Sequence, residues 1–167
     1  MVARTIRHTL AAGLVAVLVG GAACVSFGPK ASERAYNKAA KVYWAENYRA
    51  AVTQFSDFLT NYPDSRLAPI ARFYLADSYR ELRLFQNALR AYDACLAVEP
   101  YPPLLSNILY HKGYVLEKLG RPDEAVAIYG QLVRDFSEAG SEHGAWVDMA
   151  RQRLKRLGMP APARKER

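Results

Sequence analysis

The sequence predicts an all-α protein, a right-handed α-solenoid of three helix pairs closed by a C-terminal capping helix. The first observation is a period, because Ala51, Ala88 and Ala125 recur at intervals of 37 residues. The second is that large apolar residues follow each of these alanines at helical spacing. The third is a set of capping residues where such helices would begin and end. Together these observations indicate helical hairpins that bury their apolar faces by stacking.

Six columns of residues keep the 37-residue register through three successive units. Two columns hold small residues, which allow paired helices to approach closely. The other four hold mostly large apolar residues, spaced to lie on one face of a helix. The columns are Ala39/Ala76/Gly113, Val42/Tyr79/Leu116, Ala51/Ala88/Ala125, Phe55/Tyr92/Tyr129, Phe58/Cys95/Leu132 and Leu59/Leu96/Val133. Each unit is therefore predicted to be helix–turn–helix.

Local signals mark the ends of these elements in chain order. Ser32 can cap the first helix, and Asn47 can cap the second. Pro122 falls at a first helical position and is followed by two acidic residues, which suit the helix dipole. A last helix is expected over about 142–157, ended by Gly158. The sequence therefore predicts seven helices and no sheet.

The chain divides into four segments. Residues 1–23 have the pattern of a secretory signal peptide, since a basic start and a short apolar run lead to small residues. Residues 24–31 are expected to form a lipidated tether, residues 32–158 the repeats and the capping helix, and residues 159–167 a disordered basic tail. The three repeats are expected at about 35–70, 71–107 and 108–144.

Residues 21–24, Gly-Ala-Ala-Cys, resemble a bacterial lipobox, in which lipid is attached to the cysteine before cleavage. The two alanines fit that pattern, whereas Gly21 stands where the family prefers Leu, Val or Ile. Cleavage by the ordinary signal peptidase is the alternative. Val25, rather than Asp, follows Cys24, which by the same resemblance favours the outer membrane. We therefore expect a lipoprotein of the bacterial cell envelope, anchored in the outer membrane at Cys24 and facing the periplasm.

The residues that could carry chemistry do not form a catalytic or metal-binding pattern. Two cysteines and three histidines are too few for a disulfide scaffold or a zinc cluster. Cys95 occupies an inner apolar column, which predicts a buried, inert thiol. His111 and His143 have no metal-ligand spacing around them, which favours isolated surface or groove histidines. We predict no enzymatic activity, no metal and no cofactor.

The positive charge of the chain is concentrated near its C-terminus. The chain has 23 Lys+Arg against 16 Asp+Glu, a net charge of +7. Residues 148–167 hold seven of the basic residues and only Asp148 and Glu166 as acids. This segment could meet anionic lipid or an acidic partner, or it could be a solvated helix and tail. Nucleic acid is not expected, because the protein is predicted to be exported.

The 37-residue pattern resembles the tetratricopeptide repeat (TPR). Ala51, Ala88 and Ala125 take its alanine position, and Pro63 and Pro100 match the proline that closes its second helix. The period is 37 rather than 34, and the tryptophan-type position of the first helix is unmatched. The resemblance implies that the first helices line a concave side, which binds peptides.

The candidate binding residues follow from that resemblance. One aromatic column at the 37-residue interval would point into the concave side, with aromatic and charged residues beside it. Rings would supply contact area, and charges would set the register of an extended or helical peptide. The alternative is that some of these rings belong to the core. The column is Tyr36, Phe73 and Tyr110, and its neighbours are Tyr43, Trp44, Asp77, Arg80, Tyr114 and Glu117.

Several segments look like the C-terminal repeats of the Tol–Pal-associated cell division coordinator family (CpoB/YbgF). They are residues 35–39, 47–55, 58–65, 68–71 and 119–125. This resemblance implies a protein–protein interaction adaptor in cell division, whose partner is an envelope protein or a peptide segment of one. A more distant similarity is to the BamD-like lipoproteins of outer-membrane β-barrel assembly. An adaptor of a secretion or pilus system is a third possibility.

Overall fold

A computed structural model of the chain describes residues 29–98, 102–137 and 143–159. These residues contain seven α-helices and no strand, as predicted. The predicted signal peptide, Cys24, Ser141 and the tail from residue 160 lie outside the described residues. None of the helices in the described ranges is both long and apolar enough to cross a membrane. The helices are α1 (Pro29–Trp44), α2 (Tyr48–Asn61), α3 (Ala68–Glu81), α4 (Phe85–Ala97), α5 (Pro102–Lys118), α6 (Pro122–Phe136) and α7 (Gly144–Arg156).

The packing of the helices gives the stack an inner and an outer side. Each helix packs against the next one in the chain. The first helices of successive pairs also contact one another, α1 with α3, α3 with α5 and α5 with α7. Within the described part of the chain, α2, α4 and α6 make no such contact with each other. Because the first helices lie closer together than the second helices, the stack curves with α1, α3 and α5 on its concave face.

The periodic residues hold these pairs together. Ala51, Ala88 and Ala125 are fully buried, as are the small residues Ala39 and Ala76 of the other column. The bulky residues four positions after the first three, Phe55, Tyr92 and Tyr129, are fully buried as well. Each pair therefore hides its apolar side against its neighbours, which confirms the prediction of stacked hairpins.

Several helices begin earlier than the sequence indicated. α1 begins at Pro29, so residues 29–31 extend the helix instead of belonging to the tether, and Ser32 lies inside it rather than at its cap. α3 and α5 begin at Ala68 and Pro102, ahead of the expected repeat boundaries at 71 and 108. The first turn of a helix needs no backbone donor, so proline there starts a helix where the sequence suggested a loop.

The turns inside the three pairs share one unusual backbone position. Glu46, Arg83 and Gly120 are spaced by 37 residues, and their φ angles are 59°, 58° and 71°. This left-handed conformation is unstrained only for glycine, which stands in the third pair alone. In the first turn, the Asn47 side chain accepts a hydrogen bond from the Ala50 amide at 3.2 Å, as predicted for a cap.

Replacing Arg83 with glycine is therefore expected to stabilise the protein. Glycine relieves a left-handed residue of a strain of about 1 kcal/mol. The matched change is Gly120→Ala, which puts a side chain into the equivalent strained position and should destabilise by a similar amount. Chemical denaturation of both variants checks the pair. A loss of stability in Arg83→Gly would contradict the strain.

Candidate functional site

All nine predicted groove residues lie on the helices of the concave face, but they differ in accessibility. Phe73 and Tyr110 are only 5 % and 6 % exposed, so they pack in the core. Tyr36 is partly buried, with its ring 6.1 Å from that of Phe55 and 5.9 Å from that of Phe58. Burial raises the pKa of Tyr36 to about 12. The expectation of an open aromatic ladder is thus wrong for Phe73 and Tyr110, because these rings fill the space between first and second helices.

Asp77 accepts hydrogen bonds from side chains of three helices. It is 3 % exposed, and its carboxylate accepts hydrogen bonds from Tyr43 of α1 at 2.5 Å, Tyr92 of α4 at 3.0 Å and Arg80 of α3 at 2.6 Å. Burial by itself would raise the pKa of Asp77, but the hydrogen bond and the charge of Arg80 overcome it and hold the pKa below its ordinary value. Asp77 therefore positions helices and is closed to a partner.

Glu117 has a similar role in the third repeat, although its position in the 37-residue period is that of Arg80 and not that of Asp77. Tyr129 of α6 donates a 2.6 Å hydrogen bond to it, and Arg153 of α7 lies 3.4 Å away. Tyr92 and Tyr129 belong to one column of the 37-residue period, and each finds a carboxylate on the first helix of its own pair. The column predicted that both tyrosines are buried, but not these carboxylate partners. The sequence did contain a signal for these partners: two tyrosines stand in a buried column, and a buried hydroxyl requires a hydrogen-bond partner.

Four aromatic rings form an accessible cluster at the α1 end of the concave face. We call Tyr43, Trp44, Tyr48 and Tyr74 the Trp44 cluster. The ring of Tyr43 lies 5.0 Å from Trp44, 5.5 Å from Tyr48 and 4.7 Å from Tyr74. Trp44 is 68 % exposed, and the other three are partly exposed. Tyr48 and Tyr74 were not among the predicted residues, because they lie outside the columns that indicated the groove.

A second accessible group, the Tyr114 cluster, lies at the other end and consists of Tyr114, Lys118 and Arg153. The Lys118 ammonium is 5.2 Å from the centre of the Tyr114 ring, and the Arg153 guanidinium is 5.1 Å from it. Both distances are within the range of cation–π attraction. The concave face therefore ends in an aromatic group around the end of α1, to which α2 and α3 each contribute one ring, and in a basic group across α5 and α7.

His111 and His143 both contact other side chains of the protein. His143 Nδ1 lies 2.9 Å from Ser106 Oγ, at the start of α7. His111 is partly buried, and its ring is 6.3 Å from that of Tyr92, nearly parallel to it, and 5.3 Å from that of Trp146. His111 is thus part of the aromatic packing, and the prediction of an isolated surface or groove residue is wrong for it. Over the ranges that the structure describes, no group of His, Cys, Asp and Glu could hold a metal ion.

The surroundings of His111 predict that acid destabilises the fold. Burial lowers the pKa of His111 to about 4, although Asp77 opposes the shift. The folded protein keeps the ring neutral, whereas the unfolded chain takes up a proton below its ordinary pKa of about 6.5. Stability should therefore fall as the pH drops from about 6.5 to 4, by at most about 3 kcal/mol.

The measurement for His111 is the free energy of unfolding at several pH values between 7 and 4. In His111→Phe, most of the slope in this range should disappear. The loss of stability below pH 4 that Asp77 causes should largely remain in the variant, because Arg80 lowers the pKa of Asp77 more than His111 does. An unchanged slope between pH 6.5 and 4 would contradict the assignment.

Cys95 is buried, as the sequence predicted. Burial raises the pKa of its thiol to about 12, with a small opposing effect of Arg72. The reactive thiolate is therefore scarce near neutral pH, and the sulfur is shielded as well. Cys95 fills space in the core.

Curved stacks of helix pairs with an accessible inner face define a class, the helical-repeat scaffolds. The family model described as "Tetratricopeptide repeat" matches residues 36–104 and 75–143. The chain therefore belongs to the TPR family. A TPR repeat-containing protein of Methanocaldococcus jannaschii is 31 % identical over 87 residues, which make up 51 % of this chain and 26 % of that protein. This chain thus spans about a quarter of that relative.

A solved structure has a similar fold. It is described as PcrH in complex with the chaperone binding region of PopB. The match has a TM-score of 0.64 at 18 % identity and covers 76 % of this chain and 97 % of that chain. At this identity the likeness shows the shared fold, a TPR solenoid.

Proposed function

We propose that the chain is a non-enzymatic adaptor that binds a peptide segment of an envelope protein on its concave face. The observation that carries the proposal is the curvature of the stack, which leaves rings and charges of α1, α5 and α7 accessible on the inner side. Aromatic anchors with charges beside them are typical of surfaces that hold a peptide. The solved TPR structure, in which a protein segment is bound, supports the same type of function.

The proposal is tested with exposed residues, because core changes would unfold the protein. Phe73→Ala or Tyr110→Ala would remove a buried ring, at a cost of about 3–5 kcal/mol. Trp44→Ala combined with Lys118→Glu alters both ends of the concave face instead. Cross-linking in native membranes should then recover at least tenfold less of the partner than with wild type. The matched control is Arg90→Glu with Gln131→Glu on the second helices, which should recover as much partner as wild type.

Two outcomes decide this experiment. Loss of partner in the inner-face variant alone supports a concave binding surface. Equal recovery from wild type and from the inner-face variant, with both variants folded by circular dichroism, would refute it.

We further propose that the chain is exported and carries lipid at Cys24 that holds it in the outer membrane, facing the periplasm. The lipobox-like residues before Cys24 support this anchor. Cys24→Ser should move the protein from the membrane fraction to the soluble fraction. Cys95→Ala removes the other thiol and should leave the protein on membranes. Unchanged fractionation of Cys24→Ser would rule out the anchor.

The process in which the adaptor acts is proposed to be cell division, on the strength of the segments similar to the Tol–Pal-associated coordinator family. Recovery of Tol components or of a peptidoglycan synthase, with chaining of cells after deletion, is the expected result. Recovery of a β-barrel insertase with loss of porins would instead place the protein in outer-membrane protein assembly. Recovery of a secretion or pilus component would replace both.

A further inference from the structure

The two ends of the concave face differ in whether cations of the chain lie over their aromatic rings. The Tyr114 ring has two cations of this same chain near it, those of Lys118 and Arg153. Within the described residues, no cation lies over a ring of the Trp44 cluster, although Trp44 has the most exposed ring of the accessible face. Cations of this chain thus cover the ring of the Tyr114 cluster, whereas the rings of the Trp44 cluster are free to contact a cation of a ligand.

The charges beside the open cluster favour a positive ligand. Glu46 lies in the turn between Tyr43 and Tyr48, and its backbone is hydrogen-bonded to the backbone of both. Burial and then the charges of Glu81, Glu46 and Asp77 raise the pKa of Tyr48, and Arg80 opposes them. The charge of Arg80 is already neutralised, since Arg80 forms ion pairs with Asp77 at 2.6 Å and with Glu81 at 2.5 Å. Glu46 is exposed and forms no ion pair among the described residues. Carboxylate charge therefore lies beside ring faces that attract cations.

We propose that the Trp44 cluster is the docking site for a cationic side chain, Lys or Arg, of the bound peptide segment. This rests on the proposed function in that the cation belongs to the segment held on the concave face. The ring of Trp44 supplies the contact surface. Glu46 supplies an opposite charge, and the group of Asp77, Arg80 and Glu81 adds one net negative charge beside it. The far end is already basic, so the cation of the partner binds at the α1 end, and this end fixes the direction of the segment.

The proposal can be tested without the natural partner. The chain contains two tryptophans, Trp44 and Trp146. The probe is Nα-acetyl-arginine amide, added to ¹⁵N-labelled full chain while both indole N–H signals are followed by NMR. The Trp44 signal should shift in a saturable way and the Trp146 signal should stay. The neutral analogue Nα-acetyl-citrulline amide should bind at least about threefold more weakly.

Matched variants separate the charge from the ring. Glu46→Gln with Glu81→Gln should weaken binding of the arginine probe, whereas Asp57→Asn removes an exposed carboxylate of α2 and should change nothing. An equal response to the citrulline analogue, or no response of Trp44, would overturn the proposal.

A second arm distinguishes this inference from the adaptor function itself. Short synthetic peptides with one position fixed as Arg, citrulline or Glu are bound to wild type, Trp44→Ala and Lys118→Glu. A preference for Arg that Trp44→Ala abolishes supports the docking site. Binding that Lys118→Glu weakens, without any preference for Arg, leaves the adaptor function standing and refutes the docking site. An arginine response of Trp44 without binding of any peptide upholds the cation site and counts against the adaptor.

Discussion

Gly113→Ala is expected to destabilise the fold strongly, by about 1–3 kcal/mol, because it overpacks the core. A methyl group at this position would lie 2.6–2.9 Å from three ring carbons of Tyr129. The ring cannot give way freely, since its hydroxyl is bonded to Glu117, one turn further along the same helix α5. Tyr129 therefore crosses directly over residue 113. Thermal and chemical denaturation measure the effect.

A second helical glycine supplies the control. A methyl group at Gly130 meets only the end of the Arg134 side chain, at 3.2 Å. Gly130→Ala should therefore be neutral or stabilising, by up to about 1 kcal/mol, because alanine favours the helix. Combining Gly113→Ala with Tyr129→Leu should recover part of the loss, since the smaller side chain removes the clash. Equal effects of Gly113→Ala and Gly130→Ala would contradict the close contact.

Asp77→Ala should have the second large effect, a loss of about 3–5 kcal/mol from a broken buried ion pair. The change leaves the hydroxyl of the fully buried Tyr92 without its acceptor, and it leaves the Arg80 guanidinium with Glu81 alone. It also releases Tyr43, which links α1 to α3. The free energy of unfolding measures the loss, and a double mutant with Tyr92→Phe should lose less than the sum of both changes.

Asp93→Ala is the matched control for Asp77. Asp93 also forms an ion pair, to Lys112 at 2.8 Å, but its side chain is 51 % exposed. Its removal should cost no more than about 1 kcal/mol. If Asp77→Ala were as mild as Asp93→Ala, the role of Asp77 in joining the helices would be disproved.

The fold was predictable because the repeat specifies the same packing three times. The alanines at 51, 88 and 125 and the large residues after them predicted which side of each helix is buried. Helix starts were less predictable, since a proline such as Pro102 is compatible both with a loop and with a first turn. The strained turn at Arg83 carries no glycine, so only the spacing from Gly120 indicates its conformation.

The candidate site was predictable only in part. The sequence placed the right helices on the inner face, but spacing alone does not tell whether a ring points at a partner or at the neighbouring helix. Phe73 and Tyr110 have the spacing of groove residues, but their rings point at neighbouring helices and belong to the core. The Trp44 cluster also depends on Tyr48, which the turn of the first pair brings to Tyr43, and on Tyr74 of the next pair, and neither residue belongs to a column that indicated the groove.

The most direct test of the account is site-specific photo-cross-linking in cells, with a photoreactive amino acid at Trp44 or Lys118 on the concave face, or at Arg90 or Gln131 on the second helices. Cross-linked residues are then mapped by mass spectrometry. Both concave positions should link to one contiguous segment of one envelope protein, and a basic residue of that segment should lie at the Trp44 end. Links from Arg90 and Gln131 alone, or links from the concave positions scattered over unrelated proteins, would contradict it.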